Sequence, residues 1–296
     1  MELTILGTSC MIPTKERNTS AMLLSFNEES ILIDCGEGTQ RQLRIAGIRP
    51  TCITKILISH WHGDHVLGLP GLLQTLGASE YTGKLRIYGP AGSARQVEKM
   101  MDAFVFDNRV NFEVTDITKE RFFDGKEFCL EALPLDHSIS CMGFSFIEKD
   151  RLRINLKKAE KLGIPEGPLM GELQQGKAIT FKGKKIGPDE VTYTVKGKKI
   201  TYIADTALTD NCIKLAKDAD LLICESVYDS KLDNKAEEYK HLTARQAGMI
   251  ANQAEVKQLV LTHFSQRYKN TQDIEEDARV VFDKIICAHD FMHLKL

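Results

Sequence analysis

Six consecutive residues, His60-Trp61-His62-Gly63-Asp64-His65, restrict what this chain can fold into more than any other stretch. They follow the apolar run Lys55 to Ser59 and crowd three imidazoles and a carboxylate into one turn. Packing such groups together with no partner costs free energy, so the fold must bring them a ligand. His60 and His62 are two apart, and an extended chain projects them to one side. Gly63 permits a turn that carries Asp64 and His65 round to a second position. Imidazole and carboxylate donors suit Zn²⁺, with Mn²⁺ or Fe also compatible.

One loop cannot fill two coordination shells, and the chain has only eight histidines. The remaining candidates are His137 in Leu135-Asp136-His137-Ser138, Asp205 after Lys199 to Ala204, and His263 after Gln258 to Leu261. A carboxylate can bridge two ions where a neutral imidazole cannot. The division that results gives His60, His62 and His137 to one ion and Asp64, His65 and His263 to another, with Asp205 between them. A lone histidine such as His137 is by itself more often a surface or core residue. His289 and His293 lie outside any such setting and receive no role.

The runs at Leu3, Ala21, Ser30, Lys55, Lys199, Leu221 and Gln258 are short, apolar and bounded by turn residues, as buried strands are. Helical patterns lie between several of them: 38–46, 68–76, 93–104, 207–218, 243–254 and 271–282. Thr243 with Gln246 three residues on reads as a capping box. The alternation predicts an α/β layered fold with polar residues converging at one edge of its sheets. A chain of 296 residues allows one or two domains, and the expectation is a single domain over 1–296 with one insertion.

That insertion is 149–199. It holds 13 basic and 6 acidic residues, a balance of +7, whereas the remainder stands at −9 under a total of −2. It is rich in Gly, Pro and Lys and shows little apolar periodicity. A near-neutral total therefore hides a basic segment on an acidic body, which leaves nucleic acid open as a partner. The eight cysteines never form Cys-x-x-Cys, which argues against a zinc ribbon and for reduced thiols. Met1 to Cys10 lacks the pattern of a signal peptide, and no run approaches the ~18 apolar residues of a bilayer span. The expected compartment is the cytoplasm, with no membrane.

His60 to His65 resembles the signature of the metallo-β-lactamase fold, a four-layer αββα sandwich. Four further stretches resemble ribonuclease Z: Gly7 to Asn18 (GTSCMIPTKERN), Asp34 to Leu43 (DCGEGTQRQL), Gly68 to Leu73 (GLPGLL) and Leu261 to Tyr268 (LTHFSQRY). The resemblance covers nearly the whole chain. It implies a zinc-dependent endoribonuclease that removes the 3′ trailer from precursor tRNA by metal-activated water attack. The products would be a 3′-hydroxyl on the tRNA and a 5′-phosphate on the trailer. It implies two Zn²⁺ per subunit on the ligands above, and Glu225 paired with His241 beside them as catalytic residues with Asp64. It also implies a homodimer whose inserted flexible arm, the exosite, grips tRNA. Gly163, Pro165, Gly167 and Pro168 lie in the segment that looks like the arm's tip. Lys15, Arg17 and Arg267 are candidate phosphate contacts. Cys224 stands where this family often has His, Ala204 where Gly is common and Glu166 where Pro is frequent; none of these departures removes a ligand. The His-rich motif alone also fits a small-molecule hydrolase of the same fold, against which the basic segment argues.

Overall fold

The computed structural model describes residues 1–105 and 108–296. Two seven-stranded sheets form its centre. The first runs in the order His293–Lys295, Glu2–Gly7, Ala21–Phe26, Glu29–Ile33, Lys55–Leu57, Leu85–Gly89, Phe112–Asp116. Its first four strands are antiparallel, and its later strands pair parallel. The second runs Ile285–Cys287, Leu259–Thr262, Leu221–Glu225, Lys199–Ile203, Cys141–Glu148, Phe128–Leu135, Arg121–Asp124. Its Lys199, Leu221, Leu259 and Ile285 strands are parallel.

Period-two alternation assigns each strand residue a layer. Leu24, Ile31, Ile33 and Leu57 face Leu130, Phe144, Ile200 and Tyr202 of the other sheet. Their neighbours Leu23, Leu32 and Ile56 turn outward to Leu43, Leu69, Leu72 and Leu76, which belong to helices Thr39–Ile45 and Leu69–Ala78. Helices Asp210–Ala216, Ala244–Gln253 and Gln272–Arg279 cover the second sheet. The result is four layers, αββα. Burial of both sheet faces explains why the strands read as apolar runs instead of alternating patterns. The capping box is present: the Gln246 N–H donates to Thr243 Oγ1 at 3.3 Å, and the Thr243 N–H donates to Gln246 Oε1 at 2.9 Å.

The parallel strands of both sheets end in the chemically loaded residues. Asp34 follows Glu29–Ile33, His60 follows Lys55–Leu57, Asp205 follows Lys199–Ile203, and His263 follows Leu259–Thr262, while Glu225 closes its own strand. Asp34 and His263 take left-handed backbone, with φ of 57° and 60°. Non-glycine residues adopt that conformation rarely, and it recurs at functional turns. Gly36 and Gly68 let the chain cross tightly behind the His60–His65 loop. A Cβ on Gly36 would lie 2.4 Å from the Asp64 carbonyl oxygen, and one on Gly68 would lie 2.1 Å from that of Gly36.

A second compact unit comprises residues 124–129 and 147–198. Arg151–Ile154 pairs antiparallel with Thr192–Val195, and Ile179–Phe181 with Lys184–Ile186. The second hairpin turns through Lys182 and Gly183, both at positive φ, as a two-residue turn requires. Helices Leu156–Lys161, Pro168–Gln174 and Pro188–Val191 complete it. Ala159, Ile164, Leu173, Ile179, Ile186 and Val191 form a core of its own. Sequence periodicity does not reveal this core because five of its residues are spread over elements of three to seven residues, too short to display a period, and Ile164 lies between two of them. Among the described residues no helix is long and apolar enough to cross a membrane. All eight cysteines are free thiols.

Candidate metal centre

His62 caps the short helical turn Gly63–Val66, which swings Asp64 and His65 back beside His60. His60 and His65 are fully buried. His137 arrives from the end of strand Phe128–Leu135, Asp205 and His263 from the second sheet.

Two clusters result, and they meet at Asp205. In the first, His60 Nε2 and His137 Nε2 lie 3.1 and 3.2 Å from His62 Nδ1, and 3.7 and 3.9 Å from Asp205 Oδ2. In the second, His65 Nε2 lies 3.5 Å from both Asp64 Oδ2 and Asp205 Oδ1. His263 Nε2 lies 3.3 Å from Asp205 Oδ1 and 3.9 Å from Asp64 Oδ2. Donor atoms of a tetrahedral shell with Zn–N and Zn–O lengths of about 2.0–2.2 Å stand about 3.3 Å apart. The observed spacings suit that size of ion.

Satisfaction of buried polar atoms tests the fit. Among the described residues His65 Nε2, His263 Nε2 and Asp205 Oδ1 are buried with no hydrogen-bond partner. Buried polar atoms are nearly always paired, and these three belong to groups that converge on one point. A cation supplies what they lack. The nitrogen and oxygen donor set forms a metal-binding site.

Four of the five rings are held through their other nitrogen, as metal-binding histidines usually are. His60 Nδ1 lies 3.0 Å from Ser59 Oγ, His65 Nδ1 2.8 Å from Asp34 Oδ2, His263 Nδ1 2.7 Å from Ser20 Oγ, and His137 Nδ1 donates to the Lys240 carbonyl at 3.0 Å. The Met11 N–H donates to Asp64 Oδ2 at 2.8 Å. Asp34 is the hub of this outer layer, accepting also from Ser59 N, Ser59 Oγ and the Tyr202 hydroxyl. Single-residue reasoning does not find Asp34, Ser20, Ser59, Tyr202 or Lys240. Only the position of Asp34 at a strand end, in Asp34-Cys35-Gly36-Glu37-Gly38, hints at it.

Burial lowers the pKa of His60, His62 and His137, which favours the neutral, metal-binding form. His65 and His263 go the other way. Burial is the largest effect and works against their charge, but Asp205 together with Asp34 and Asp64 at His65, and with Cys10 at His263, outweighs it, and both are raised. Burial likewise opposes ionisation of Asp205, yet His263, His65 and His60 hold it deprotonated.

Beside the clusters, His241 Nδ1 lies 3.0 Å from Glu225 Oε2. The other oxygen of this buried carboxylate, Oε1, accepts the Thr206 N–H at 2.6 Å. Glu225 is therefore satisfied within the protein, and the pair reads as a hydrogen-bonded dyad more than as a third metal position. Burial alone would depress His241; Glu225 reverses this and raises it.

The candidate phosphate contacts differ in setting. Lys15 is exposed. The Arg17 guanidinium lies 5.3 Å from the Phe264 ring centroid, with Nη1 buried and unpartnered. Arg267 is exposed and stacks over Tyr228 at 5.2 Å. Thr14, Glu16, Arg17, Gln266, Tyr268 and Lys269 line one cavity, so the loops holding the two arginines adjoin. In the second unit Gly163, Pro165, Gly167 and Pro168 are exposed, while Ile164 between them anchors in the small core.

The two facing sheets with a His-Asp centre at their edge define a metallo-β-lactamase-fold metalloprotein. YhfI of Bacillus subtilis, a solved protein of that fold, matches with a TM-score of 0.73 at 19% identity, over 99% of this chain and 98% of its own. Residues 1–153 match the family model described as Anti-Pycsar protein Apyc1. The ribonuclease Z of Methanothermobacter thermautotrophicus is 40% identical over 297 residues, covering 100% of this chain and 97% of that protein. The human tRNase Z short form matches with a TM-score of 0.74 at 30% identity, over 100% of this chain and 99% of its own. The chain belongs to the ribonuclease Z family, a family of endoribonucleases.

Proposed function

We propose that this protein removes the 3′ trailer from precursor tRNA, using two zinc ions, or Mn²⁺ or Fe in their place. The meeting of two donor clusters on the two oxygens of Asp205 carries this reading. His60, His62 and His137 would hold one ion and Asp64, His65 and His263 the other, with Asp205 bridging. Bound ions would neutralise charge on the attacked phosphate and make water nucleophilic near neutral pH.

The protein's own groups do the rest. Asp64, fixed by the Met11 N–H, orients the attacking water and can take its proton. Water oxygen bonds to phosphorus, and the bond from phosphorus to the ribose 3′ oxygen breaks. His241 gives that leaving oxygen a proton, and Glu225 fixes its tautomer and keeps its charge compensated. The products are a 3′-hydroxyl on the tRNA and a 5′-phosphate on the trailer. Lys15, Arg17 and Arg267 would contact phosphates near the cut. The unit containing Gly163, Pro165, Gly167 and Pro168 would grip tRNA at a distance through salt-dependent backbone contacts. A cytoplasmic homodimer, with one subunit's arm holding RNA for the other's site, completes the proposal.

The test is a 5′-labelled precursor tRNA incubated with wild-type protein and with His62→Ala, the cut mapped to the nucleotide. The expected result is one cut at the discriminator base or just after CCA, absent in the variant. No cut by metal-loaded wild type would rule out tRNA 3′ processing and point to a small phosphodiester substrate.

A further inference from the structure

Between Asp229 and Arg245 the chain leaves the second sheet and returns to begin helix Ala244–Gln253. This excursion holds the 3₁₀ turn Ser230–Leu232 and helix Asp233–Tyr239, of which only Ala236 is buried. Its far end matters twice to the site. His241 meets Glu225 there, and the preceding residue, Lys240, turns its carbonyl onto His137 Nδ1 from a left-handed backbone with φ of 54°. Leu242 and Thr243 are fully buried behind His241, but helix Asp233–Tyr239 adds only Ala236 to the core, so polar ties at the feet of the excursion share in holding these two contacts.

Both ends of the excursion close on one side chain outside the ligand set. Asp277, 8% exposed, projects from helix Gln272–Arg279. Its Oδ2 accepts the Ser230 N–H at 2.9 Å and the Arg245 N–H at 3.0 Å. Its Oδ1 accepts the Ser230 hydroxyl at 2.5 Å and Arg245 Nη2 at 2.9 Å. Four donors fill the acceptor capacity of a carboxylate. The Arg245 N–H is also one of the orphan donors at the start of its helix, so helix start and loop start are tied to the same group. The neighbouring Ala244 N–H donates to the Tyr228 carbonyl at 2.8 Å and closes the neck further.

We infer that Asp277 is a positioning residue for the cleavage step: by clamping both feet of the excursion it sets the place of His241. The inference rests on the reading of His241 as the proton donor to the leaving oxygen. A purely structural Asp277 would weaken every reaction at the site alike. A positioning Asp277 would weaken most those that need the donated proton, and the others only as far as the Lys240 carbonyl contact to His137 is disturbed.

Leaving-group chemistry separates the two. A ribose 3′ oxygen leaves poorly without a proton, whereas p-nitrophenolate leaves without one. Metal-loaded wild type, Asp277→Asn and His241→Ala would be compared on precursor tRNA and on bis(p-nitrophenyl) phosphate, with hydrogen exchange of 230–243 followed in parallel. The amide that replaces the carboxylate in Asp277→Asn offers one acceptor oxygen in place of two. Asp277→Asn should lose about tenfold or more in kcat on RNA, as loss of an outer partner typically costs, and distinctly less on the nitrophenyl diester, which shares only the Lys240 contact to His137. His241→Ala should show the same split more strongly, and exchange across 230–243 should quicken in Asp277→Asn alone. Equal loss on both substrates, or no loss on RNA, in Asp277→Asn would overturn the proposal. If His241→Ala itself shows no split, the proton-donor reading fails and the proposal falls with it. Should Asp277→Asn not fold, Ser230→Ala removes a single bond of the clamp and must show the same split in weaker form, or the proposal is wrong.

Discussion

At the sheet edge where Asp34, His60, Asp205 and His263 meet, these four ionisable side chains are 0–3% exposed and each has a defined partner or a defined lack of one. In residues 147–198, by contrast, Lys157, Lys158, Lys161, Lys177, Lys184 and Lys185 are all exposed, over a core of six small and medium apolar side chains. The first region works through geometry that a single atom can upset. The second carries positive charge spread over its exposed surface. An electrostatic surface for a polyanion needs number and sign, whereas a metal shell needs particular atoms at particular distances.

The sharpest way to break this comparison is at Asp205. Asp205→Asn keeps the shape but removes the anionic bridge on which both clusters converge. Activity on precursor tRNA and on bis(p-nitrophenyl) phosphate should both fall by on the order of a thousandfold, beyond the roughly ten- to hundredfold typical of outer partners. Bound metal, measured by elemental analysis, should fall with them. Full metal content with full activity would show that the clusters are not the reaction centre.

Excising most of the second unit tests the other half. The Glu148 N–H donates to the Lys198 carbonyl at 2.9 Å, and Asp150 accepts from the Gly197 N–H and Lys196 Nζ. The two ends of the insertion are therefore already joined, and replacing 149–197 by a short glycine linker should leave the two sheets folded. The expected loss is about ten- to hundredfold in kcat/KM on precursor tRNA, with a shallower salt dependence. The nitrophenyl diester should be cut at the wild-type rate. Wild-type activity on both substrates would rule out the RNA-binding role proposed for this unit.

A further expected effect concerns pH. In the metal-free protein Asp205, with Asp34 at His65 and Cys10 at His263, raises both imidazoles above the ordinary value and so favours their protonated forms. Metal needs neutral imidazole, so uptake releases these protons and affinity rises with pH, by about tenfold per unit for each proton displaced. Chelator competition between about pH 6 and 8 would measure the slope. A flat profile would mean that the rings are already neutral before metal arrives.

Much of this molecule was legible from the residue pattern. The seven apolar runs from Leu3 to Leu261 all contribute strands, and the six helical patterns all contain helices, with ends shifted by up to three residues. The strands Leu85–Gly89, Phe112–Asp116, Arg121–Asp124, Phe128–Leu135 and Cys141–Glu148 were not legible. Several mix charged and apolar residues, as in Phe112-Glu113-Val114-Thr115-Asp116, and sheet pairing overrides so weak a local signal. The His60–His65 loop announces itself because its donors are adjacent. Asp277 and Asp34 do not, because each acts on groups 25 or more positions away in the chain.

The sequence by itself determined the donor types, the strand ends that present them, the basic balance of 149–199 and the capping box at Thr243. These follow from local spacing and composition, which chain geometry translates directly into direction and charge. Only the tertiary structure decided that Oδ1 and Oδ2 of Asp205 each face a different cluster, that Glu225 is satisfied by Thr206, and that one buried carboxylate at Asp277 closes the loop carrying His241. Such contacts depend on two packed sheets and their covering helices reaching a common register, and no spacing along one chain encodes a distance across it.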